Sequence, residues 1–214
     1  MSHPSDSSSS NPFFPGYWGE ADLARFGFKS VGRHVQVARD CTIAGLQNIS
    51  LGDYVRIDGP TLLAAGSGYI HIGSYVHIGA GCSLGGGGGI TLEDFSGLSQ
   101  GVRLYSVSDD YSGKSLTNPC VPARYKSVRA AAVTLGRHVI VGSNSVVLPG
   151  VAIGEGASVG ALTLVNRSLE AWGIYSGTPA RRLRARDRTM LELEAAFLAD
   201  LRGGDAEGDA AATP

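Results

Sequence analysis

A histidine, His77, precedes a stretch reading LYSVSDDYSG (104–113), which carries the adjacent carboxylates Asp109 and Asp110. An imidazole titrates close to neutral pH. It can therefore take the proton of a hydroxyl attacking an electrophile, a task worth about 10²- to 10⁴-fold in rate. A nearby carboxylate can orient that imidazole, or serve as the base itself if burial raises its pKa. Taken one at a time these residues have plainer readings. His77 reads equally as a surface histidine beside a strand and Asp109–Asp110 as turn carboxylates; Asp58, following Ile57, could reach a neighbouring site but reads more readily as a solvent-exposed coil residue. Further on, Arg181 to Arg188 contains five arginines and one aspartate. That is a local basic patch, too short to mark a nucleic-acid-binding protein, and it reads most plainly as the start of a basic terminal helix. Cys41 and Cys82 read as small core residues, and with Cys120 they form no CxxC pair, so a disulfide framework is not expected.

Composition narrows the classes. The 214-residue chain fits one domain with terminal appendages, and its net charge of -1 gives no basic signature for nucleic acid or an anionic membrane. No apolar stretch reaches the length of a membrane span, and MSHPSDSSSS has no apolar secretion segment, so a soluble cytoplasmic protein is expected. Glycine is abundant, 31 residues, while hydrophobics still reach 43%. That combination points to short strands joined by tight turns, since a disordered glycine-rich chain would lack the aliphatic content.

The elements that must position His77 follow from a repeat. Aliphatic residues recur every six positions: Val31, Val37, Ile43; Leu51, Ile57, Leu63; Ile72, Ile78, Leu84; Leu92, Leu98, Leu104; then Leu135, Val141, Val147; Ile153, Val159, Val165. Neither a helix, with period 3.6, nor an alternating strand, with period two, explains six. A short strand, a turn and the same unit on the next face of a prism do. Three hexads close one coil, giving four coils before the excursion around residues 105–132 and two after it. The aliphatic residues stack inward, a small or β-branched residue such as Val55 or Cys82 fits each corner, and glycine is expected where the backbone turns tightly. The sixth residue of each first-face hexad then forms an edge column: Gln36, Arg56, His77, Gly97, Ile140 and Ser158.

This pattern resembles the hexapeptide-repeat acyltransferases, most closely in VTLGRHVIVGSNSVVLPGVAIGEGASVGALTLVNRSL and in the ending GIYSGTPARRL, Gly173 to Leu183. Within that family it is similar to sugar O-acetyltransferases of the galactoside, maltose and polysaccharide type. The SDDYSG loop is closer to the branch acting in surface-polysaccharide synthesis, including acetylation of nucleotide-linked amino sugars. The resemblance implies an all-β fold, a left-handed parallel β-helix over 31–183 with the loop 105–132 extruded. Around it stand a disordered tail at 1–15, a capping helix within 16–30, a terminal helix at 184–202 and a flexible tail at 203–214. It also implies acetyl-CoA as co-substrate. The pantetheine arm would lie along the coils after the loop, near Ser143 and Ala161, and the phosphates would meet Thr178, Arg181 and Arg182. A homotrimer is implied, with each site built from two neighbouring prisms.

One departure stands out. The family carries a catalytic histidine early in the loop, and SVSDD contains none. His77 is then the best base, with Asp109 or Asp110 as its orienting partner or substitute, unless the acceptor is an amine that loses its proton to solvent. Zinc, used by one branch of the fold, needs three or four convergent ligands. His71 and His77 lack a third, so no metal is expected. The favoured reading is acetylation of a sugar hydroxyl in polysaccharide or lipopolysaccharide synthesis. Its alternative is N-acetylation of a nucleotide-linked amino sugar, which would have to be held by prism and loop alone. A non-enzymatic binding or scaffold prism would want a flat, loop-free face with a regular Thr array, which this chain lacks.

Overall fold

The computed structural model describes residues 13–210, with side chains described through Arg202. Its strands stack as the six-residue period predicts. Among the described residues, three main sheets form the walls of a prism, one of nine strands and two of six. The nine-stranded front sheet runs through Gln36–Ala38, Arg56–Ile57, His77–Ile78, Gly97–Leu98, Ile140–Val141 and Ser158–Val159, all in parallel. In each coil an entry sheet (Ser30–Val31 to Ala152–Ile153) precedes the front sheet, and an exit sheet (Thr42–Ala44 to Leu164–Val165) follows it. Six coils result, four before the excursion and two after.

The hexad aliphatics fill the interior. Ile57, Ile78, Leu98 and Val141 line the inner side of the front sheet at 1% exposure or less, and Leu63, Leu84 and Leu104 do the same on the exit sheet. Each such side chain contributes about 1.5–3 kcal/mol by leaving water. Because every coil stacks on the next in register, this burial repeats along the prism and holds the outward side chains in columns.

Glycines such as Gly81, Gly101 and Gly156 do take left-handed turns, as expected, but those that follow the hexad aliphatics do a different task. Gly52 and Gly142 follow hexad aliphatics, but their φ is not positive; a Cβ there would meet the neighbouring coil's backbone at 2.6 and 2.5 Å. They are needed for close stacking. The left-handed turn falls two residues later and is taken by bulky residues: His34, Tyr54, Tyr75, Phe95 and His138, all with φ of 57–59°. Left-handed backbone costs a non-glycine residue about 1–2 kcal/mol. Stacking offsets this, since the rings form a continuous pile with successive centroids 4.5, 5.0, 4.8 and 5.2 Å apart.

Both ends are closed. Tyr17–Trp18 pairs antiparallel with Gln36–Ala38 at one edge of the front sheet. A four-residue helix, α1 (Glu20–Leu23), then puts Leu23 into the core, so the cap within 16–30 is mostly not helical. At the other end Gly173–Ser176 adds a further front strand and Arg181–Ala185 folds back against it. The residues expected to start a helix at 184 thus complete a sheet edge. Helix α2 (Met190–Ala210) begins after a turn in which Asp187 Oδ1 accepts the Thr189 N–H at 2.7 Å. It docks on the ring pile through Phe197, edge-on to Tyr75 at 5.4 Å, and through Glu194, which accepts from Arg137 and lies 2.8 Å from His138 Nε2. The helix passes the expected end at 202. Of the two expected tails, residues 1–12 and 211–214 lie outside the described residues.

Candidate active site

The front sheet carries the predicted column on its outer surface. Strand pairing sets Arg56 beside His77, His77 beside Gly97, and Gly97 beside Ile140. His77 is half-exposed, and its Nε2 lies 2.8 Å from Asp58 Oδ2. Asp58 follows Arg56 by two residues, so it shares the outward side of the sheet, one coil before His77. Its other oxygen, Oδ1, accepts from Tyr17 Oη at 2.6 Å and Arg56 Nε at 2.8 Å. Arg56 also donates to the Tyr17 oxygen at 2.7 Å, closing a four-residue network.

The electrostatics of the network fix its protons. Partial burial pushes the Asp58 carboxyl up, but hydrogen bonds from Tyr17, His77 and Arg56 outweigh it and hold the group below the usual carboxylate range. Burial and the adjacent Asp58 raise the Tyr17 phenol, which therefore stays protonated and donates. An ionised carboxylate only accepts, so the proton between Asp58 and His77 sits on Nε2. That leaves Nδ1 of His77 as the nitrogen with a free lone pair, the arrangement of a general base backed by an orienting carboxylate. Before His77 the sheet opens into a cavity of about 440 Å³ lined by Tyr54, Arg56, Asp58, Tyr75, Val76 and His77. A larger one of about 710 Å³ shares Tyr54, Arg56 and Tyr75 and extends under Phe197 of α2.

The loop carboxylates are elsewhere. The excursion leaves the exit sheet and re-enters the entry sheet, its ends paired as Val107–Ser108 with Arg129–Ala130. Its root is therefore the corner across the prism from the front sheet. The buried Ser106 pins it there, donating to Gly85 O at 2.6 Å and accepting from Gly88 N at 2.8 Å. Asp110 accepts from Ser112 N at 2.8 Å and Ser115 Oγ at 3.1 Å, and Asp109 from Asn118 N at 3.4 Å. Within one chain the carboxylate bonded to His77 is Asp58, not Asp109 or Asp110. His71 points outward from Ile70–Ile72 of the entry sheet, a different wall from His77. Among the described residues no group of three or more His, Cys, Asp or Glu is placed to hold a metal ion.

The residues expected to meet coenzyme A do converge. Ser143 accepts the Leu162 N–H at 2.9 Å, and Leu162, next to Ala161, accepts from Thr178 Oγ1 at 3.2 Å. Ser143, Ala161 and Thr178 thus stack along one corner, between front and exit sheets. Arg181 and Arg182 lie on the exposed last strand just beyond it. Cys82 is buried and its thiol raised by that burial, as expected of a core residue.

Comparison with known proteins bears on this geometry. The family described as Bacterial transferase hexapeptide (six repeats) matches residues 132–167. A dTDP-4-amino-4,6-dideoxy-D-glucose acyltransferase from Escherichia coli is 40% identical over 181 residues, 85% of this chain and 94% of the relative. The chain belongs to the hexapeptide-repeat acyltransferase family. Its left-handed β-helix fold class and its class of activity, acyl transfer, follow. A crystal structure of AntD, an N-acyltransferase from Bacillus cereus, in complex with dTDP and 3-hydroxybutyryl-CoA, superposes with a TM-score of 0.84 at 40% identity. It covers 88% of this chain and 100% of that one. The lipopolysaccharide biosynthesis O-acetyl transferase WbbJ of Escherichia coli K12 is 35% identical over 66 residues, 31% of this chain and 34% of its own length.

Sequence reasoning weighed Asp58 but favoured an exposed coil residue, and it missed Tyr17. Asp58 was legible in principle, since the column pairs Arg56 with His77 and strand alternation puts Asp58 on the same side as Arg56. Tyr17 was not, because it precedes the repeat and nothing in the hexads announces an antiparallel edge strand.

Proposed function

We propose that the protein transfers an acyl group from a coenzyme A thioester to the amine of a nucleotide-linked amino sugar. The observation that carries this reading is the 40% identity, along nearly the whole of both chains, to an acyltransferase acting on dTDP-4-amino-4,6-dideoxy-D-glucose. It favours the amine over the hydroxyl acceptor, for which WbbJ is a relative over a much shorter segment. The cavity before His77 supports it too, since about 440 Å³ falls in the range of small-molecule sites, and the larger one of about 710 Å³ adjoins it through Tyr54, Arg56 and Tyr75. Similarity to enzymes of amino-sugar and lipopolysaccharide metabolism suggests a product destined for surface polysaccharide.

In this reading the amine nitrogen attacks the thioester carbonyl carbon. A C–N bond forms and the C–S bond breaks, leaving an amide and the coenzyme A thiolate. The surplus amine proton passes to His77 Nδ1, and Asp58 stabilises the imidazolium until it returns the proton to the thiolate. The donor runs along the corner of Ser143, Ala161 and Thr178, with its phosphates at Arg181 and Arg182. Three chains form a closed ring, which lets the loop of one, with Asp109 and Asp110, approach the front sheet of the next. The loop's exposed Tyr111, Leu116, Tyr125 and Val128 support such a contact. Release of the coenzyme A thiol tests the acceptor. It should be rapid with a nucleotide-linked 4-amino sugar and at background with the matched 4-hydroxy sugar; the reverse preference would overturn the reading.

A further inference from the structure

Gly97 is a glycine that the fold does not need. Gly142, just after the front strand Ile140–Val141, is forced by the next coil's backbone, 2.5 Å from where its Cβ would be, and Gly101 by a φ of 72°. Gly97 lies in a strand, and an added Cβ would come no nearer than 3.7 Å to His77 O, an ordinary van der Waals contact. Gly85 has similar freedom but lies on the exit sheet, away from His77. The missing side chain at 97 belongs to the outward column, in register with His77 on one side and Ile140 on the other. Neighbouring strands lie about 4.8 Å apart, so His77 and Ile140 stand roughly 10 Å apart with no side chain between them. The two walls of this notch differ in chemistry: a histidine bonded to Asp58, and an apolar side chain left 45% exposed.

We propose that this notch seats the acyl group of the donor, and that Gly97 sets the acyl length the enzyme accepts. The inference rests on the acyl-transfer reading above and deepens it. The thioester carbonyl must lie within reach of the attacking nitrogen, and that nitrogen within reach of His77. With the donor descending from the later coils, the acyl chain starts beside His77 and lies over Gly97 towards Ile140. The polar acceptor takes the opposite side, over Arg56 and Asp58. Each methylene seated on Gly97 and Ile140 contributes roughly fourfold to kcat/KM, so the enzyme uses chains longer than acetyl.

The test compares acetyl-, propionyl- and butyryl-CoA in the parent, Gly97→Ala and Gly97→Val, with a nucleotide-linked 4-amino sugar as acceptor and thermal melting as a folding control. The ratio of kcat/KM for butyryl- over acetyl-CoA should fall roughly tenfold or more in Gly97→Val, the worth of two seated methylenes, and less in Gly97→Ala. If the valine variant melts early, the alanine variant decides. An active parent whose variants lose all donors equally overturns the pocket alone. A parent inert with every donor overturns the transfer reading, and the pocket with it.

Discussion

Replacing Asp58 by Asn would invert the hydrogen-bond logic of the site with almost no change of shape. Oδ1 of Asp58 receives two donors, Tyr17 at 2.6 Å and Arg56 at 2.8 Å, so the amide oxygen of the variant keeps that position. The amide NH₂ then faces His77 Nε2 across the present 2.8 Å contact. Two donors cannot share that contact, so the imidazole proton moves to Nδ1, the nitrogen that has to accept the proton from the acceptor amine. In a buried triad such a tautomer inversion costs about 10⁴-fold in kcat. His77 is 55% exposed, and water can partly restore the active tautomer. The expected loss is therefore about 10²-fold, at the lower end of general-base contributions. Thiol release at saturating donor and acceptor measures it, with the donor KM expected to stay the same because Asp58 lies on the acceptor side. A variant that melts like the parent and keeps its kcat within about threefold would refute His77 as the base. The amine would then shed its proton to solvent.

Four other outcomes follow from the structure and the proposed function. Arg181→Ala with Arg182→Ala should raise the KM for acyl-CoA by at least roughly tenfold, since charge-assisted contacts contribute about 1.5–3 kcal/mol each, and leave the acceptor KM nearly unchanged; an unchanged donor KM would place the phosphates elsewhere. Replacing 109–128 by a two-residue turn on the Val107–Ser108/Arg129–Ala130 hairpin should leave cooperative melting intact and abolish activity, because Ser106 still pins the corner. Loss of cooperative melting would assign the loop a folding role, and light scattering of the parent should give a trimer. Ser96→Ala should raise stability by about 1 kcal/mol, read by denaturant unfolding, because Ser96 Oγ is buried and has no hydrogen-bond partner among the described residues; a loss of stability would mean the hydroxyl is satisfied.

The coils were legible because burial enforces them. A period of six with Ile57, Ile78 and Leu98 in phase admits little besides a stacked prism, and the same stacking puts Gln36, Arg56, His77 and Ile140 in one column from the sequence alone. The glycine rule was only half legible. Composition showed that glycine was required, but close stacking at Gly52 and a left-handed turn at Tyr54 are separate demands that a repeat count merges. The loop's direction was not legible, because a sequence shows where an excursion leaves the repeat and not which corner of the prism it leaves from. Hence Asp109 and Asp110 seemed candidates for a contact that Asp58 makes. The terminal helix was placed six residues early because Arg181–Ala185, basic and irregular in pattern, is held as a strand by pairing with Gly173–Ser176.

The measurement closest to the central claim is the linkage in the product. The protein, acetyl-CoA and dTDP-4-amino-4,6-dideoxyglucose are incubated together, and the sugar nucleotide is examined by mass spectrometry before and after mild alkali. N-acyl transfer predicts one acetyl group gained per sugar, one thiol released per acetyl, and a product whose acetyl survives the alkali as an amide does. An acetyl group removed by the alkali, as an ester is, or thiol release with no acetylated amino sugar, would contradict it.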